Sequence, residues 1–325
     1  MPGAISFIKD QYTTLDLPTP PPNITDSCYI VTGANTGLGY ECTRHLLSMG
    51  VGRIILAVRT PSKGDAALAT LRRETGRSAA GEVWQLDLAS LDSVEAFSKR
   101  LANLDRLDAL ICNAGVIMSQ YRAVEGRETT LQVNVVATML LAFRAMPKLQ
   151  ESAKKFGIQP RLTIVSSDQA FSDNVKLCVE KIGGDGNVFD VLSEEQNFNA
   201  IATYVCPDSS SLSSREKTAR RHWIMLTRST PCRYPRTKLL EIYIVRELAG
   251  LLHLSSSSVI VNTVSPGLCY SELDRNQGFL MKILVKVFRA LLARSTEKGS
   301  RTLLQAGFAG PDSHGKYCSE CKIRE

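Results

Sequence analysis

A chain of 325 residues, 44% hydrophobic and 22% charged, can bury a sizeable core and has the balance of an ordinary globular protein of one large or two small domains. Its formal charge of +7 does not point to nucleic acid: +4 of it comes from residues 200–233, where Arg215, Lys217, Arg220, Arg221, Arg228 and Arg233 stand against Asp208 and Glu216, and no basic stripe is interleaved with aromatics. No stretch reaches the roughly 18 uncharged apolar residues of a membrane span, and no basic head followed by an apolar run opens the chain. Nine scattered cysteines, an odd number, argue against a disulfide framework, so the expectation is a cytoplasmic protein in a reducing compartment.

Residues 1–26 read as an N-terminal extension with a Pro-rich stretch, "PTPPP", at 18–22. From residue 27 to 325 short apolar runs alternate with longer amphipathic ones, which reads as one domain. Strands are expected at 28–34, 53–59, 82–88, 107–115, 161–167 and 259–267; being apolar on both faces, they suit a parallel sheet covered by helices. Helices are expected at 38–49, 64–75, 91–103, 127–149 and 237–253. The alternation predicts a single-domain α/β fold of the Rossmann type, a doubly wound parallel sheet with helices on both faces.

Two stretches break this rhythm. Residues 201–232 are Ser- and Arg-rich without a clear period and read as an atypical insertion, either a surface loop or translated non-coding sequence. Residues 279–292, "FLMKILVKVFRALL", read as a basic amphipathic helix. It is expected to pack its apolar side inward, with a substrate lid or a peripheral membrane contact as alternatives.

"TGANTGLG" sets Gly33, Gly37 and Gly39 directly after the first strand, at the start of the helix that opens near Leu38. Residues without Cβ let backbone N–H groups and the positive helix end approach a pyrophosphate. A ribose 2′-hydroxyl is usually held by a carboxylate about 20 residues further on, whereas a 2′-phosphate needs a cation. That position is Arg59, with Lys63 close behind, so NADP(H) is the expected cofactor. A solvated loop at Arg59 and Lys63, or Asp65 as the ribose ligand, are the alternatives.

Further on stand "QLDLAS" with Asp87 and Leu88, "NAG" with Asn113, "LQVNV" with Asn134, "IVSSD" with Ser167, "RYPRTK" with Tyr234 and Lys238, and "SPG" with Gly267. With the TGxxxGxG turn these seven motifs, in this order and on these elements, resemble the short-chain dehydrogenase/reductase family, and within it the retinol-dehydrogenase-like and fungal branches. The resemblance implies adenine-side contacts from Asp87 and Leu88, cofactor contacts from Asn113, Gly267 and Ser271 as well as from Tyr234 and Lys238, and a catalytic set of Ser167, Tyr234, Lys238 and Asn134. Ser166 is the alternative hydroxyl. Asn134 would hold a water linked to Lys238, or tie strands together through backbone bonds, or both.

The chemistry fits these residue types. Hydride transfer between a nicotinamide and a carbonyl needs a matched proton transfer at the oxygen, and the protein supplies that proton and the positioning. Free tyrosine, with a pKa near 10, is a poor base; an ammonium four residues on, on the same helix face, is expected to lower it. Ser167 would donate to the substrate oxygen. Fungal relatives imply a place in secondary metabolism, and the expected 279–292 helix after the PG turn, where relatives place a lid, implies a fairly apolar carbonyl or alcohol substrate.

Ser167 and Tyr234 lie 67 residues apart, farther than the family's pattern, and removing 201–232 would leave 35. A non-catalytic NADP(H)-binding protein, with the insertion displacing Tyr234, is therefore the rival reading. No metal is expected, because Cys318 and Cys321 lack a second ligand pair. His45, His222, His253 and His314 are dispersed, so no hydrolase triad is expected.

Overall fold

The computed structural model describes residues 9–77, 80–118, 120–171, 188–194, 233–252, 259–270 and 292–324. The expected insertion at 201–232, Ser271, and the helix at 279–292 apart from its last residue lie outside the described residues.

Alternating strands and helices follow the chain: β1 (Cys28–Thr32), α1 (Gly37–Ser48), β2 (Arg53–Val58), α2 (Pro61–Thr75), β3 (Gly81–Gln85), α3 (Leu91–Ala102) and β4 (Ala109–Cys112). A two-stranded hairpin of β5 (Ala123–Val124) and β6 (Arg127–Glu128) precedes the long helix α4 (Thr129–Phe156). Then come β7 (Arg161–Val165), the short α5 (Val188–Ser193), α6 (Arg233–Leu251), β8 (Ile260–Ser265), α7 (Thr296–Phe308), β9 (Tyr317–Ser319) and β10 (Lys322–Arg324). The main sheet runs β3-β2-β1-β4-β7-β8-β9-β10; every neighbouring pair is parallel except β9 with β10. The order reverses direction between β1 and β4, which makes the crevice beyond their carboxyl ends the place where a doubly wound sheet binds ligands.

The strands are apolar throughout because both faces are covered. Side chains alternate along a strand. Ile30, Ile55 and Leu110 pack with Phe97 and Leu101 of α3, Leu141 and Leu149 of α4 and Val245 of α6. Tyr29, Val31, Ile54, Leu56 and Ile111 face the other way, onto Leu46 and Leu47 of α1, Leu68 and Leu71 of α2, and Leu303 and Leu304 of α7. By length and composition α4 is apolar enough to cross a membrane, yet 78% of its apolar window is buried in this core.

Three features differ from expectation. The fourth strand is shorter than 107–115, so the whole "NAG" segment is loop. α6 begins at Arg233 rather than 237, placing Tyr234 and Pro235 in its first turn, where proline loses no hydrogen bond. The chain also ends in a hairpin that periodicity did not reveal: Glu320 and Cys321 take φ of 49° and 56°, the left-handed pair of a two-residue turn. The CxxC of Cys318 and Cys321 is thus the frame of a β-turn, with Cys318 buried in the core and all six described cysteines free thiols.

The N-terminal extension does not stand apart from the domain. Buried Arg294, just before α7, pairs with Glu320 at 3.6 Å and donates to the carbonyls of Pro266 and Gln11, each at 3.3 Å, and of Asp10. Arg301 donates to Leu15 O at 2.6 Å. Arg294→Met removes one of the two cations facing buried Glu320, Arg324 at 3.2 Å being the other, together with three bonds to backbone carbonyls, and is expected to lower the unfolding free energy by about 3 kcal/mol in a urea titration.

Candidate active site

The glycine turn leaves β1 at Gly33, whose N–H donates to Ala57 O at 2.8 Å and whose φ of 68° favours glycine. A Cβ on Gly39 would lie 2.6 Å from both Asn113 Nδ2 and Gly33 O, whereas one on Gly37 would meet nothing within 4 Å. Gly39 is therefore required by packing, and Gly37 (φ 61°) leaves the mouth of the turn open. Asn113 Nδ2 donates to Thr32 O, and Thr32 Oγ1 accepts from Ala114 N–H, both at 2.9 Å, fixing the NAG loop against the turn. Leu38, in the first turn of α1, is partly buried against the core.

Arg59 follows β2 at the same edge, and Lys63 lies in the first turn of α2, which carries no acid. Both are exposed, as is Asp65, two residues further on. Asp87 and Leu88 follow β3; Asp87 Oδ1 accepts from Ala89 N–H at 3.0 Å, and Leu88 is buried. Gly267 lies beyond β8 with φ 72°. Ser271 is not among the described residues.

Ser167 lies two residues beyond the end of β7; its hydroxyl accepts from Gln169 N–H at 3.3 Å and faces the Tyr234 phenol, whose pKa it draws down. Ser166, the alternative hydroxyl, is turned away: it is buried and donates to Lys238 O at 2.8 Å. Lys238 Nζ lies 5.5 Å from the Tyr234 ring centroid and donates to Val165 O at 2.7 Å and Glu241 Oε1 at 2.8 Å. Asn134 sits in a π-helical turn, Gln132–Ala137, that widens α4 locally. Its Oδ1 accepts from Val116 N–H at 2.9 Å, and its Nδ2 donates to Val116 O at 3.0 Å and Thr237 Oγ1 at 3.1 Å. These bonds join α4 to the loop after β4 and to α6.

The expected lowering of the Tyr234 pKa is not realised, although Lys238 acts in the expected sense. Burial lifts the phenol above its ordinary value; Lys238 pulls it down, but Glu241 pushes it up again. Burial opposes the charge on Lys238, yet Glu241 and Tyr234 together hold its pKa above the usual value. Burial also raises the Glu241 carboxyl to about 7, against the pull of Lys238.

Three contributors were not visible in the sequence motifs. Glu241, one turn beyond Lys238, could have been noticed as an acid within an otherwise apolar helix face. Buried Glu128 lies 3.7 Å from Arg233, the residue before Tyr234; Glu128 also caps α4 through Leu131 N–H at 3.1 Å. Arg233 donates further to Leu192 O and, at 2.9 Å, to Glu194 O. Tyr317 of β9 donates to Asp168, next to Ser167, at 2.5 Å. No local spacing signals these last two pairs. His45 is not isolated either: it lies 3.1 Å from Glu297, far from the hydroxyl groups above, and burial lowers its pKa.

A buried phenol facing a serine hydroxyl, with an ammonium beneath it and a glycine turn two strands away at the same edge of the sheet, brings the sequence-predicted site residues together. Comparison with known proteins agrees. The family model for short chain dehydrogenase matches residues 27–178. A short chain dehydrogenase/reductase of Cryptosporiopsis sp., dmxR8, is 38% identical over 309 residues, covering 94% of this chain and 85% of the relative. A short-chain dehydrogenase of Penicillium roqueforti, anuD, is 35% identical, covering 99% and 76%. Among solved structures, a short-chain dehydrogenase from Sphingobium yanoikuyae in complex with NADPH aligns with TM-score 0.57 at 20% identity, covering 86% of this chain and 83% of that one. The chain belongs to the short-chain dehydrogenase/reductase family, in a fungal branch of it. It is an oxidoreductase.

The raised Glu241 pKa has a consequence for stability. A carboxyl that ionises near 7 when folded and near 4.5 when unfolded favours the folded state fully below 4.5, and that contribution is lost as pH rises through 7. Urea titrations across this window are expected to show stability falling with pH, with the decline removed in Glu241→Gln.

Proposed function

We propose that the protein is an NADP(H)-dependent oxidoreductase that interconverts a carbonyl and an alcohol on an apolar small molecule, with Tyr234 as the acid and base. The observation that carries this reading is the buried Tyr234 phenol, facing the Ser167 hydroxyl and with its ring centroid 5.5 Å from the Lys238 ammonium, at the carboxyl edge of the sheet. The glycine turn fits a nicotinamide dinucleotide: a Cβ is barred at Gly39, and the surface at Gly37 is open. Gly33, Gly37, Leu38 and Gly39 would take the pyrophosphate, Asp87 and Leu88 the adenine side, and Asn113, Gly267, Ser271, Tyr234 and Lys238 the nicotinamide half. Arg59 and Lys63, exposed cations near the N-terminus of α2, would take the 2′-phosphate. When bound, the nicotinamide supplies or accepts the hydride.

In the reductive direction Tyr234 gives its proton to the carbonyl oxygen as negative charge develops there. The Ser167 hydroxyl donates a hydrogen bond to the same oxygen. Lys238 stabilises the resulting phenolate through its charge, held in place by Val165 O and Glu241. Asn134 fixes the floor of the site by joining Val116 to Thr237. A cytoplasmic setting suits the six described free thiols. A place in secondary-metabolite biosynthesis rests on the resemblance to the fungal branch, and an apolar substrate and a peripheral membrane contact both rest on the expected 279–292 helix.

A panel of ketones, aldehydes and alcohols, each assayed with NADP(H) and NAD(H), tests this reading. Turnover is expected with NADP(H), and Tyr234→Phe is expected to lower kcat by at least about 100-fold while cofactor binding persists. NADPH binding without turnover on any member of the panel would favour a disabled copy. Arg59→Leu is expected to weaken NADPH binding, followed by nicotinamide fluorescence, by about tenfold, with NADH affinity little changed.

A further inference from the structure

Glu241 is only 1% exposed, and the Lys238 it pairs with is 4% exposed. One carboxylate oxygen accepts from Lys238 Nζ at 2.8 Å; the other, Oε2, is buried and makes no hydrogen bond among the described residues, the nearby Ser166 hydroxyl donating instead to Lys238 O. A half-satisfied carboxylate in a core is costly, and an apolar side chain of similar volume would serve stability at least as well. The position therefore calls for an explanation beyond packing. Lys238 offers one: its Nζ is held between two acceptors, Val165 O on β7 and Glu241 on α6, and the Tyr234 ring lies 5.5 Å away.

We infer that Glu241 is a positioning residue for proton transfer at Tyr234, drawing the Lys238 ammonium against Val165 O and setting how much of its charge the phenol feels. The inference rests on the proposed role of Tyr234. With Glu241 ionised, the pair is nearly neutral and the phenol keeps its proton more firmly; with Glu241 protonated, the full ammonium faces the ring. Four groups face the carboxyl: Lys238 and Tyr234 from α6 itself, the Cys112 thiol from β4, and the Ser166 hydroxyl beyond β7. Lys238 is the one cation in this set. Burial brings the Glu241 carboxyl to about 7, so both charge states occur near neutrality. As pH rises through that value, Tyr234 shifts toward holding its proton, which favours its action as the acid in carbonyl reduction over its action as the base in alcohol oxidation.

The test follows the Tyr234 phenolate by ultraviolet difference titration, subtracting Tyr234→Phe from protein with Tyr234 intact, in the wild-type and Glu241→Gln backgrounds. Neither substrate nor cofactor is needed. Glutamine keeps an acceptor for Lys238 but not the charge, so the Tyr234 midpoint is expected to fall by about one pH unit. An unchanged or raised midpoint overturns the inference. Should Glu241→Gln fail to fold, Glu241→Met removes the same charge and carries the same expectation. Where turnover is measurable, the alkaline limb of kcat/KM for carbonyl reduction is expected to move down with the midpoint, and a limb that stays put also counts against the inference. The two readings fail separately: a shifted phenolate in a protein that turns over nothing sinks only the proposed activity, whereas turnover with an unshifted phenolate sinks only the role of Glu241.

Discussion

The reacting centre depends on the seating of one helix whose first turns are electrostatically unfavourable. α6 opens with Arg233, Tyr234, Pro235, Arg236, Thr237 and Lys238, all buried, and its first turn carries no acid. Three cations thus stand near the positive end of a helix dipole, in a place where water cannot screen them. Two buried carboxylates reached from different directions offset this: Glu128 from the start of α4 onto Arg233, and Glu241 from the next turn onto Lys238. Arg236 Nε and Nη2 have no hydrogen-bond partner among the described residues. The ammonium under the phenol stays charged because its counter-ion is built into the same helix.

That seating spreads to the sheet through few, specific bonds. Lys238 Nζ and the Lys238 carbonyl both engage the end of β7, through Val165 O and the Ser166 hydroxyl. Thr237 meets Asn134, which grips both polar groups of Val116 after β4. On the far side, Tyr317 of the terminal hairpin holds Asp168 at 2.5 Å, next to Ser167. Burial and the Tyr317 bond act in opposite senses on the Asp168 carboxyl, and burial prevails, raising its pKa. A serine hydroxyl and a phenol that come from distant parts of the chain are thereby held at one strand edge, which is what transfer of a proton at an ångström-level separation demands.

The parallel core was legible because apolar runs and amphipathic periods are local properties: Ile30 and Ile55 could be placed in strands from their neighbours alone. The glycine turn was legible because Gly33 and Gly39 answer to backbone geometry that few other residues tolerate. The terminal hairpin was not, since Tyr317–Ser319 and Lys322–Arg324 are too short to show a period and are fixed by pairing with β8. The direction of the Tyr234 shift was also out of reach. A Tyr and a Lys at i and i+4 announce their attraction, but the burial that outweighs it is set by how α6 packs on the sheet, and Glu241 could be counted as a partner only once its depth was known. Asn134 shows the same limit: its place in the helix was readable, its three bonds to Val116 and Thr237 were not.

The seam before Tyr234 now has a physical description. Sequence alone leaves open whether an added segment would push the helix start out of register. The described ends of that segment are held together: Arg233, the first residue of α6, donates to the carbonyls of Leu192 and Glu194 at the end of α5, while Glu128 anchors its charge. A chain excursion whose two ends are pinned to each other exerts little leverage on what lies beyond them. Among the described residues Tyr234 is thus seated by the Arg233 contacts before it and by Lys238 one turn on, and it faces Ser167 although the two lie 67 residues apart in the chain.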